Sequence, residues 1–269
     1  MYSKQGYIAA GTEQLHYLQW GKGSQLLVAF HGYGNDAAVF EPLIPLLSDS
    51  YTIVSFDLPH HGKSAWTPGV ALTEQWLTEL IEALKATYDV SKVSLLGFSM
   101  GGRVCLSIVS RMPKSVARLV LIAPDGLTVN FYYYFFTNTY FGKKIFRHML
   151  ENPKPYFRIM NWLRDRNLVD SSRHKFAMHY LHTEESRRLL LRVWTDMSAI
   201  MPNPDRARMM IRMYSVPVTL FMGVHDKIMA PALGRKFVSG LKTAHLVILD
   251  KGHRLLERET AEQIAKPFL

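Results

Sequence analysis

Ser99 lies at the centre of a Gly-Phe-Ser-Met-Gly segment, residues Gly97–Gly101. The apolar run Lys92–Phe98 predicts a strand before it, and Gly101–Met112 predicts a helix after it. A sharp turn between the two would raise the serine hydroxyl above the end of the strand, with a strained serine backbone and glycines that avoid clashes. A hydroxyl presented in this way is suited to attack a carbonyl carbon, so we predict Ser99 as a catalytic nucleophile.

His253 is the histidine best placed to activate this serine, because a serine hydroxyl is a weak nucleophile without a neighbouring base. It follows the predicted strand Ala244–Leu249 and precedes the predicted helix Arg254–Ala265. A loop at the end of a strand can bring an imidazole to the nucleophile. We therefore predict His253 as the general base.

Asp226 is expected to be the acid that orients the imidazole and stabilises its cation. It follows the predicted strand Val218–Met222, and the chain between Asp226 and His253 is long enough for one helix and one strand. Asp125, directly after the predicted strand Arg118–Ala123, stays open as the alternative acid.

The elements that must position these side chains follow an α/β pattern. Short apolar runs alternate with helix-like segments such as Thr73–Tyr88, whose apolar residues recur at helical spacing behind a capping threonine. Strands buried on both faces and separated by helices indicate a mostly parallel sheet flanked by helices. Strand-like stretches at Tyr7–Ala10 and Leu15–Trp20 are expected at an antiparallel edge. The three predicted catalytic side chains would then converge at one rim of the sheet.

The alternation of strands and helices is interrupted between Leu127 and Met213. This stretch opens with an aromatic cluster, Phe131–Phe136, and continues with helix-like segments rich in Arg, Met and His. No strong strand signal returns before Val218. We predict a helical cap, or lid, at residues 127–213, inserted into a core formed by residues 1–126 and 214–269.

Four motifs resemble those of the α/β-hydrolase superfamily, in particular its capped, esterase-like serine hydrolases. They are His31-Gly32-Tyr33-Gly34, Asp57–Ser64, Gly97–Gly102 and Gly252-His253. The resemblance covers nearly the whole chain outside the cap. It implies the α/β-hydrolase fold with an inserted helical cap and a Ser-His-Asp triad, with Ser99 on the family's nucleophile elbow.

Two backbone N–H groups are expected to form an oxyanion hole beside Ser99. The helix after Ser99 presents free N–H groups at its positive end, which points to the N–H of Met100. In the family that the motifs resemble, the residue after His-Gly supplies the second N–H, which implies Tyr33. His31 is expected to hold this loop. The same family usually has a glycine where His60 stands, so this chain departs from the pattern there.

The expected reaction is acyl transfer through an acyl-enzyme, with a carboxylic ester as the default substrate. A carbon–carbon bond (diketone) hydrolase, a thioesterase and a cofactor-free perhydrolase are alternatives, and the fold also serves as a ligand receptor. Serine rather than aspartate at the elbow excludes the dehalogenases and epoxide hydrolases of this fold. No G-x-G-x-x-G, P-loop or metal-ligand pattern is present, so neither a cofactor nor a metal site is predicted. The aromatic, Met-rich cap favours an apolar acyl or aromatic small-molecule substrate.

Composition is typical of an ordinary globular protein, with 48% hydrophobic and 20% charged residues among 269. No apolar run is long enough to cross a membrane, and the N-terminus lacks the pattern of a secretory signal. The single cysteine, Cys105, allows no intramolecular disulfide. We therefore expect a reducing, cytoplasmic setting.

The net charge of +10 is concentrated in the middle of the chain, where residues 127–212 hold 15 lysine and arginine residues against 7 acidic ones. This excess is open to two interpretations. The basic residues form a solvated face without a partner, or they attract a partner, which would be an anionic substrate or a membrane surface. No basic run or nucleic-acid motif is present, so a nucleic-acid partner is not expected.

Overall fold

The computed structural model describes residues 2–166, 168, 178 and 180–269. The chain forms two compact units. The first consists of Met1–Thr67, Leu72–Val129 and Ala199–Leu269, and the second of Pro68–Ala71 and Asn130–Ser198.

The first unit is built on a sheet that has eight strands within the described residues. The strands are β1 (Lys4–Ala10), β2 (Glu13–Trp20), β3 (Gln25–Phe30), β4 (Tyr51–Phe56), β5 (Val93–Phe98), β6 (Val116–Ile122), β7 (Val218–Gly223) and β8 (Ala244–Leu249). Their order across the sheet is β1-β2-β4-β3-β5-β6-β7-β8. Strand β2 pairs antiparallel with β1 and β4, and the other neighbours are parallel. The predicted mostly parallel sheet with an antiparallel edge is confirmed.

Helices connect the strands of this sheet and make up the second unit. In chain order they are α1 (Ile44–Leu47), α2 (Glu74–Thr87), α3 (Met100–Arg111), α4 (Phe131–Asn138), α5 (Tyr140–Glu151), α6 (Pro153–Asp165), α7 (Glu184–Asp196), α8 (Pro204–Met213), α9 (Pro231–Val238) and α10 (Arg258–Ala265). Short 3₁₀ helices lie at Ala37–Leu43, Pro113–Ser115 and Lys266–Phe268. In the part of the chain that the structure describes, none of the helices combines the length and apolar character needed to cross a bilayer.

The parallel strands end in register at one edge of the sheet. The paired residues near these ends are Phe30 with Gly97, Phe98 with Ile122, Ile122 with Phe221, and Gly223 with Leu249. The loops that carry the predicted catalytic side chains therefore all leave the sheet at the carboxyl ends of its parallel strands, where α/β folds place their ligand sites.

The second unit is helical and has an aromatic interior. The rings of Tyr133 and Phe146 each lie 5.1 Å from the ring of Trp194, measured between centroids. The N–H of Gly69 donates to the buried carboxylate of Asp196 at 3.0–3.1 Å. This bond ties Pro68–Ala71 to the end of α7, which explains why these residues belong to the helical unit.

The cap at residues 127–213 stays a prediction, and the helical unit of the structure has its own bounds. It ends at Ser198, and α8 belongs to the first unit. There α8 buries Ala207 and Ile211, and its Arg206 donates to the carbonyl of Ser110 on α3 at 3.4 Å. An amphipathic helix has the same residue pattern in a cap as in a core. The residue pattern of α8 alone therefore does not assign this helix to a cap or to a core.

Candidate active site

Ser99 stands at the turn between β5 and α3 with a left-handed backbone, φ +48° and ψ −113°. Its N–H donates to the carbonyl of Ile122 at 2.9 Å. Its carbonyl accepts from the N–H of Gly102 at 2.9 Å and from that of Asp125 at 2.8 Å. A non-glycine residue in such a conformation costs about 1–3 kcal/mol and persists only where its surroundings hold it, as these three bonds do.

The glycines around Ser99 allow the chain to pass close to itself. A Cβ on Gly97 would lie 2.7 Å from the carbonyl oxygen of Gly101, and a Cβ on Gly101 would overlap the backbone of Phe30. The turn can therefore form only when both positions lack a side chain. This close approach is the physical reason for the Gly-x-Ser-x-Gly spacing.

His253 and Asp226 join Ser99 in one hydrogen-bond chain. The Nε2 of His253 lies 3.0 Å from the Oγ of Ser99, and its Nδ1 lies 2.7 Å from the Oδ2 of Asp226. The other carboxylate oxygen of Asp226 accepts the N–H groups of Ile228 at 2.8 Å and Met229 at 2.9 Å. Both oxygens of this buried carboxylate are thus engaged in hydrogen bonds.

Asp125 is directed elsewhere. Its Oδ2 pairs with the guanidinium of Arg103 on α3, and its Oδ1 accepts the N–H of Gly126 at 2.7 Å. The Nδ1 of His253 meets Asp226 instead. Asp125 therefore holds the loop after β6 against the start of α3, where its own N–H also meets the carbonyl of Ser99.

The loop after β3 lies against Ser99, because a Cβ on Gly32 would come within 3.0 Å of the serine Cβ. The carbonyl of Gly32 accepts the Nδ1–H of His31 at 2.7 Å and the N–H of Asn35 at 3.2 Å. This carbonyl and the N–H of Tyr33 belong to one trans peptide unit, so they point in opposite directions. The groups that hold the Gly32 carbonyl therefore orient the Tyr33 N–H.

His31 is a neutral imidazole that links two loops. Its Nε2 accepts the N–H of Leu58 at 2.9 Å, while Nδ1 carries the proton donated to Gly32. Burial lowers the pKa of His31 to about 3, and the neighbouring His61 adds to this effect. Both ring nitrogens are engaged with backbone, so His31 braces the loop and takes no part in proton transfer.

Met100 is the first residue of α3 and follows Ser99 directly. The first N–H groups of a helix have no acceptor within the helix and form the positive end of its dipole. Helix α3 and the loop that carries Tyr33 both adjoin Ser99.

A model described as Alpha/beta hydrolase family matches residues 26–266. The chain belongs to this family. Among curated proteins, this hydrolase is 25% identical over 246 residues to the uncharacterized hydrolase YugF of Bacillus subtilis (strain 168), a match that covers 91% of this chain and 88% of that protein. It is also 32% identical over 127 residues to the 2-hydroxy-6-oxo-6-(2'-aminophenyl)hexa-2,4-dienoic acid hydrolase of Metapseudomonas resinovorans. That match covers 46% of this chain and 43% of the relative.

Among solved structures, the hydrolase resembles a thermophilic esterase from Thermogutta terrifontis, with a TM-score of 0.68 at 18% identity. The alignment covers 99% of this chain and 97% of the esterase, which shows a shared fold. In several other curated relatives the match spans only 30% to 41% of the relative's length. The protein is thus a serine hydrolase of the alpha/beta hydrolase family with the fold that the motifs imply.

The loop after β4 has a left-handed backbone at the position where the chain departs from the family pattern. His60, which stands where the family usually has glycine, has φ +65°. A residue with a Cβ in this left-handed region costs roughly 1–2 kcal/mol more than glycine does. The loop therefore retains a glycine-like backbone at this position with a half-buried histidine in place of the glycine.

Asp57 and its partners were not assigned a role from the sequence. The Oδ1 of Asp57 accepts the N–H of Ala37 at 2.6 Å, and its Oδ2 accepts the N–H of Lys63 and the Nδ1 of His16, each at 2.8 Å. This buried carboxylate thereby joins the loops after β3 and β4 to strand β2. An acidic residue directly after a buried strand was the only available signal, because His16 is remote in the chain.

His61 adds a second imidazole between the same two loops. Its Nδ1–H donates to the carbonyl of Pro59 at 2.9 Å, and its Nε2 accepts the N–H of Gly34 at 3.1 Å. Burial lowers the pKa of His61, so the ring stays a neutral acceptor. Within the described residues, no group of three or more His, Cys, Asp or Glu side chains is arranged for a metal ion.

Proposed function

We propose that the protein hydrolyses a carboxylic ester or a related acyl bond through an acyl-enzyme on Ser99. The observation that carries this proposal is the continuous chain from the Oγ of Ser99 through His253 to Asp226, with distances of 3.0 Å and 2.7 Å. This arrangement matches a serine nucleophile, its general base and the acid that orients the base. The chemistry needs no cofactor.

Acylation begins when Ser99 Oγ attacks the substrate carbonyl carbon and its proton passes to His253 Nε2. The carbonyl oxygen becomes an oxyanion in the tetrahedral intermediate. The imidazolium then gives its proton to the leaving alkoxide as the carbon–oxygen bond breaks. Asp226 holds the Nδ1–H throughout, so that the lone pair of Nε2 faces the serine and the cation is stabilised.

Deacylation repeats the sequence with water as the nucleophile. His253 removes a proton from a water molecule, and the resulting hydroxide attacks the acyl carbon. The second tetrahedral intermediate collapses, and the proton on Nε2 returns to Ser99 Oγ. The products are a carboxylic acid and the free enzyme.

The oxyanion is assigned to the backbone N–H groups of Tyr33 and Met100. Met100 follows the nucleophile at the start of α3, and Tyr33 lies on the loop that adjoins it. Removing one such donor typically costs about 2.7–4 kcal/mol of transition-state stabilisation. The assignment is supported by the fixed orientation of the Gly32 carbonyl, because this carbonyl shares its peptide plane with the Tyr33 N–H.

A second candidate activity is hydrolysis of a carbon–carbon bond in a diketone. It is favoured by the 32% identity, over 127 residues, to a protein named as a dienoic acid hydrolase. The leaving group in such a reaction is a stabilised carbanion that must be protonated on carbon, whereas an ester releases an alkoxide that is protonated on oxygen. The same triad could serve either reaction, so a direct substrate comparison is needed.

Covalent labelling with a fluorophosphonate probe tests the activated serine. We expect the wild-type protein to be labelled and the Ser99→Ala variant, folded to the same extent by circular dichroism, to remain unlabelled. Well-folded wild-type protein that resists the probe would overturn the proposal and favour a ligand receptor on this fold. The Ser110→Ala variant, which changes a buried serine on α3, is the matched control and should label normally.

A substrate panel then separates the reaction classes. It contains p-nitrophenyl esters of increasing acyl length, an acyl thioester, an aryl diketone, and an ester assayed with hydrogen peroxide for peracid formation. We expect the highest kcat/KM for an ester with an apolar acyl or aromatic group. A higher value for the diketone, the thioester or peracid formation would replace the ester by that reaction.

A further inference from the structure

Exposed aromatic side chains crowd the surface of α4 and α5. Phe131 and Tyr132 on α4 are 70% and 74% exposed, and Tyr140 and Phe141 on α5 are 67% and 72% exposed. Single exposed apolar residues are common on protein surfaces. Four large rings are thus exposed on two helices that pack together, and exposed apolar surface of this extent marks a site of contact with an apolar partner.

The exposed side of α5 mixes apolar and cationic groups. The buried side of this helix is formed by Gly142, Phe146 and Leu150. Away from that side, Phe141 and Ile145 lie one turn apart and are both exposed. The Nζ of Lys144 lies 4.6 Å from the ring centre of Tyr140, so a cation stands directly beside an aromatic ring.

Helix α6 repeats this composition and has no buried residue. Ile159 and Trp162 are 52% and 49% exposed. The guanidinium of Arg166 lies 4.3 Å from the ring centre of Trp162. A helix that combines exposed tryptophan and isoleucine with basic residues has the composition of helices that lie in the interface of a bilayer.

The charge of this region is predominantly positive. Residues 131–166 hold seven lysine and arginine residues and two acidic residues. All seven cationic side chains are exposed. Lysine and arginine are attracted to the anionic headgroups of a bilayer, while aromatic rings settle at the level of the headgroups. Both halves of this complementarity are present in this region, with exposed rings on α4 and α5 and exposed cations on α5 and α6.

We infer that the exposed sides of α4, α5 and α6, here called the aromatic–basic surface, dock on bilayers that contain anionic phospholipids. A second copy of the chain would present the same positive charge and would therefore be repelled. A polyanion such as a nucleic acid would satisfy the charge but would leave most of the exposed aliphatic and aromatic groups in water. This inference goes beyond the proposed hydrolysis and does not depend on it.

Vesicle flotation of the full chain tests the docking. The wild-type protein should float with vesicles of phosphatidylcholine mixed with phosphatidylserine and should stay unbound with phosphatidylcholine alone. Added salt should weaken the binding, because it screens the attraction between the cations and the headgroups. Free phosphoserine is added as a competitor, so that binding to the isolated headgroup is distinguished from binding to the bilayer surface.

Matched variants locate the binding surface. The triple variant Lys143→Gln, Lys144→Gln, Arg147→Gln should lower affinity for the mixed vesicles on the order of a hundredfold, from roughly fivefold for each cation. The control replaces three exposed lysines of the first unit with the same loss of charge: Lys22→Gln, Lys92→Gln, Lys242→Gln. This control should bind nearly as the wild-type protein does.

Apolar variants test the aromatic half of the surface. The pair Tyr140→Ser, Phe141→Ser should weaken vesicle binding without changing the melting temperature, because both side chains are exposed. Binding should shift tryptophan emission to the blue, and Trp162→Phe should remove most of that shift. Fluorophosphonate labelling of each variant should match that of the wild-type protein, so loss of docking is distinguishable from loss of activity.

Three results would overturn the inference. The first is absence of binding to the mixed vesicles by folded wild-type protein. The second is an equal loss of binding in the triple variant and in its charge-matched control, which would indicate a net-charge effect without a defined surface. The third is binding to RNA or to an acidic polypeptide that the aromatic–basic variants reduce while vesicles show none.

Discussion

The Nε2 of His31 accepts the N–H of Leu58 at 2.9 Å, so that one imidazole joins the loop after β3 to the loop after β4. The Nδ1–H of the same ring holds the carbonyl of Gly32 at 2.7 Å, and this carbonyl shares a peptide plane with the N–H of Tyr33. The orientation of the proposed oxyanion donor thus depends on a contact made to a neighbouring loop. His31 acts here as a positioning residue.

Replacing His31 should lower kcat with little change in KM. The direction of the Tyr33 N–H matters for the oxyanion that develops in the transition state and has little effect on substrate binding. In the His31→Leu variant both bonds are lost, and we expect kcat to fall on the order of tenfold to a hundredfold, less than the loss from deleting a donor outright. In the His31→Asn variant the shorter amide can still donate to Gly32, so a smaller loss is expected. Steady-state kinetics on a soluble ester measures both.

The comparison of these two variants separates positioning from stability. Equal kcat in both, with melting temperatures that fall together, would mean that His31 supports the fold and has no influence on the oxyanion. A kcat that recovers in His31→Asn while the melting temperature stays low would support the positioning role.

Acid should destabilise the protein through its buried histidines. The pKa of His31 is lowered by burial from 6.5 to about 3. The unfolded chain therefore binds a proton below about pH 6.5 while the folded protein does not, and stability falls as the pH drops from about 6.5 toward 3. One such group makes the unfolding free energy fall by up to about 1.4 kcal/mol for each pH unit of acidification, and its effect vanishes above about pH 6.5.

Urea unfolding at pH 7, 6, 5 and 4.5 checks this prediction. His61, whose pKa burial also lowers, should contribute in the same direction. The His31→Leu variant should show a smaller dependence of unfolding free energy on pH below 6.5 than the wild-type protein. An identical slope in both proteins would contradict the assignment of a neutral, buried His31.

Substitutions of two aspartates near the site should have different effects, one on kcat and the other on stability. Asp226→Asn should lower kcat by about 10⁴, the loss seen when the orienting acid of a serine–histidine pair becomes an amide, with little loss of stability. Asp125→Asn should keep kcat within about tenfold. It should lower the unfolding free energy by about 1–3 kcal/mol, because buried Arg103 loses the charge of its partner. Kinetics and urea unfolding of both variants test the pair, and a reversed outcome would make Asp125 the acid.

Much of the fold was predictable from local patterns because buried parallel strands are continuous apolar runs. The predicted strand Lys92–Phe98 is observed as Val93–Phe98, and the predicted helix Thr73–Tyr88 as Glu74–Thr87. Thr73 caps that helix by accepting the N–H of Trp76 at 3.1 Å, as its hydroxyl and position indicate. The sequence of such a short segment itself contains the hydrophobic periodicity and the capping residue that predict the element.

Long-range pairs carried no such signal. Asp57 binds His16 across two antiparallel strands, and Asp125 binds Arg103 across the turn of the elbow. All three carboxylates follow predicted strands. The position of Asp226 before His253 favoured it as the acid, but the sequence did not show what Asp57 and Asp125 bind. Their partners distinguish them, and those partners follow from the strand order and from the path of the loops.

The loop after β4 offers a test of backbone strain, because His60 and Gly62 both have positive φ, +65° and +53°. His60→Gly should raise the unfolding free energy by about 0.5–1 kcal/mol, since relief of the left-handed strain outweighs the added entropy of the unfolded glycine. Gly62→Ala should lower it by about 2 kcal/mol or more, because the new Cβ would overlap the carboxylate of Asp57. Thermal and urea unfolding measure both changes. If His60→Gly proves destabilising, the contacts of the histidine side chain stabilise the loop by more than its backbone strain costs, and the departure from glycine serves that packing.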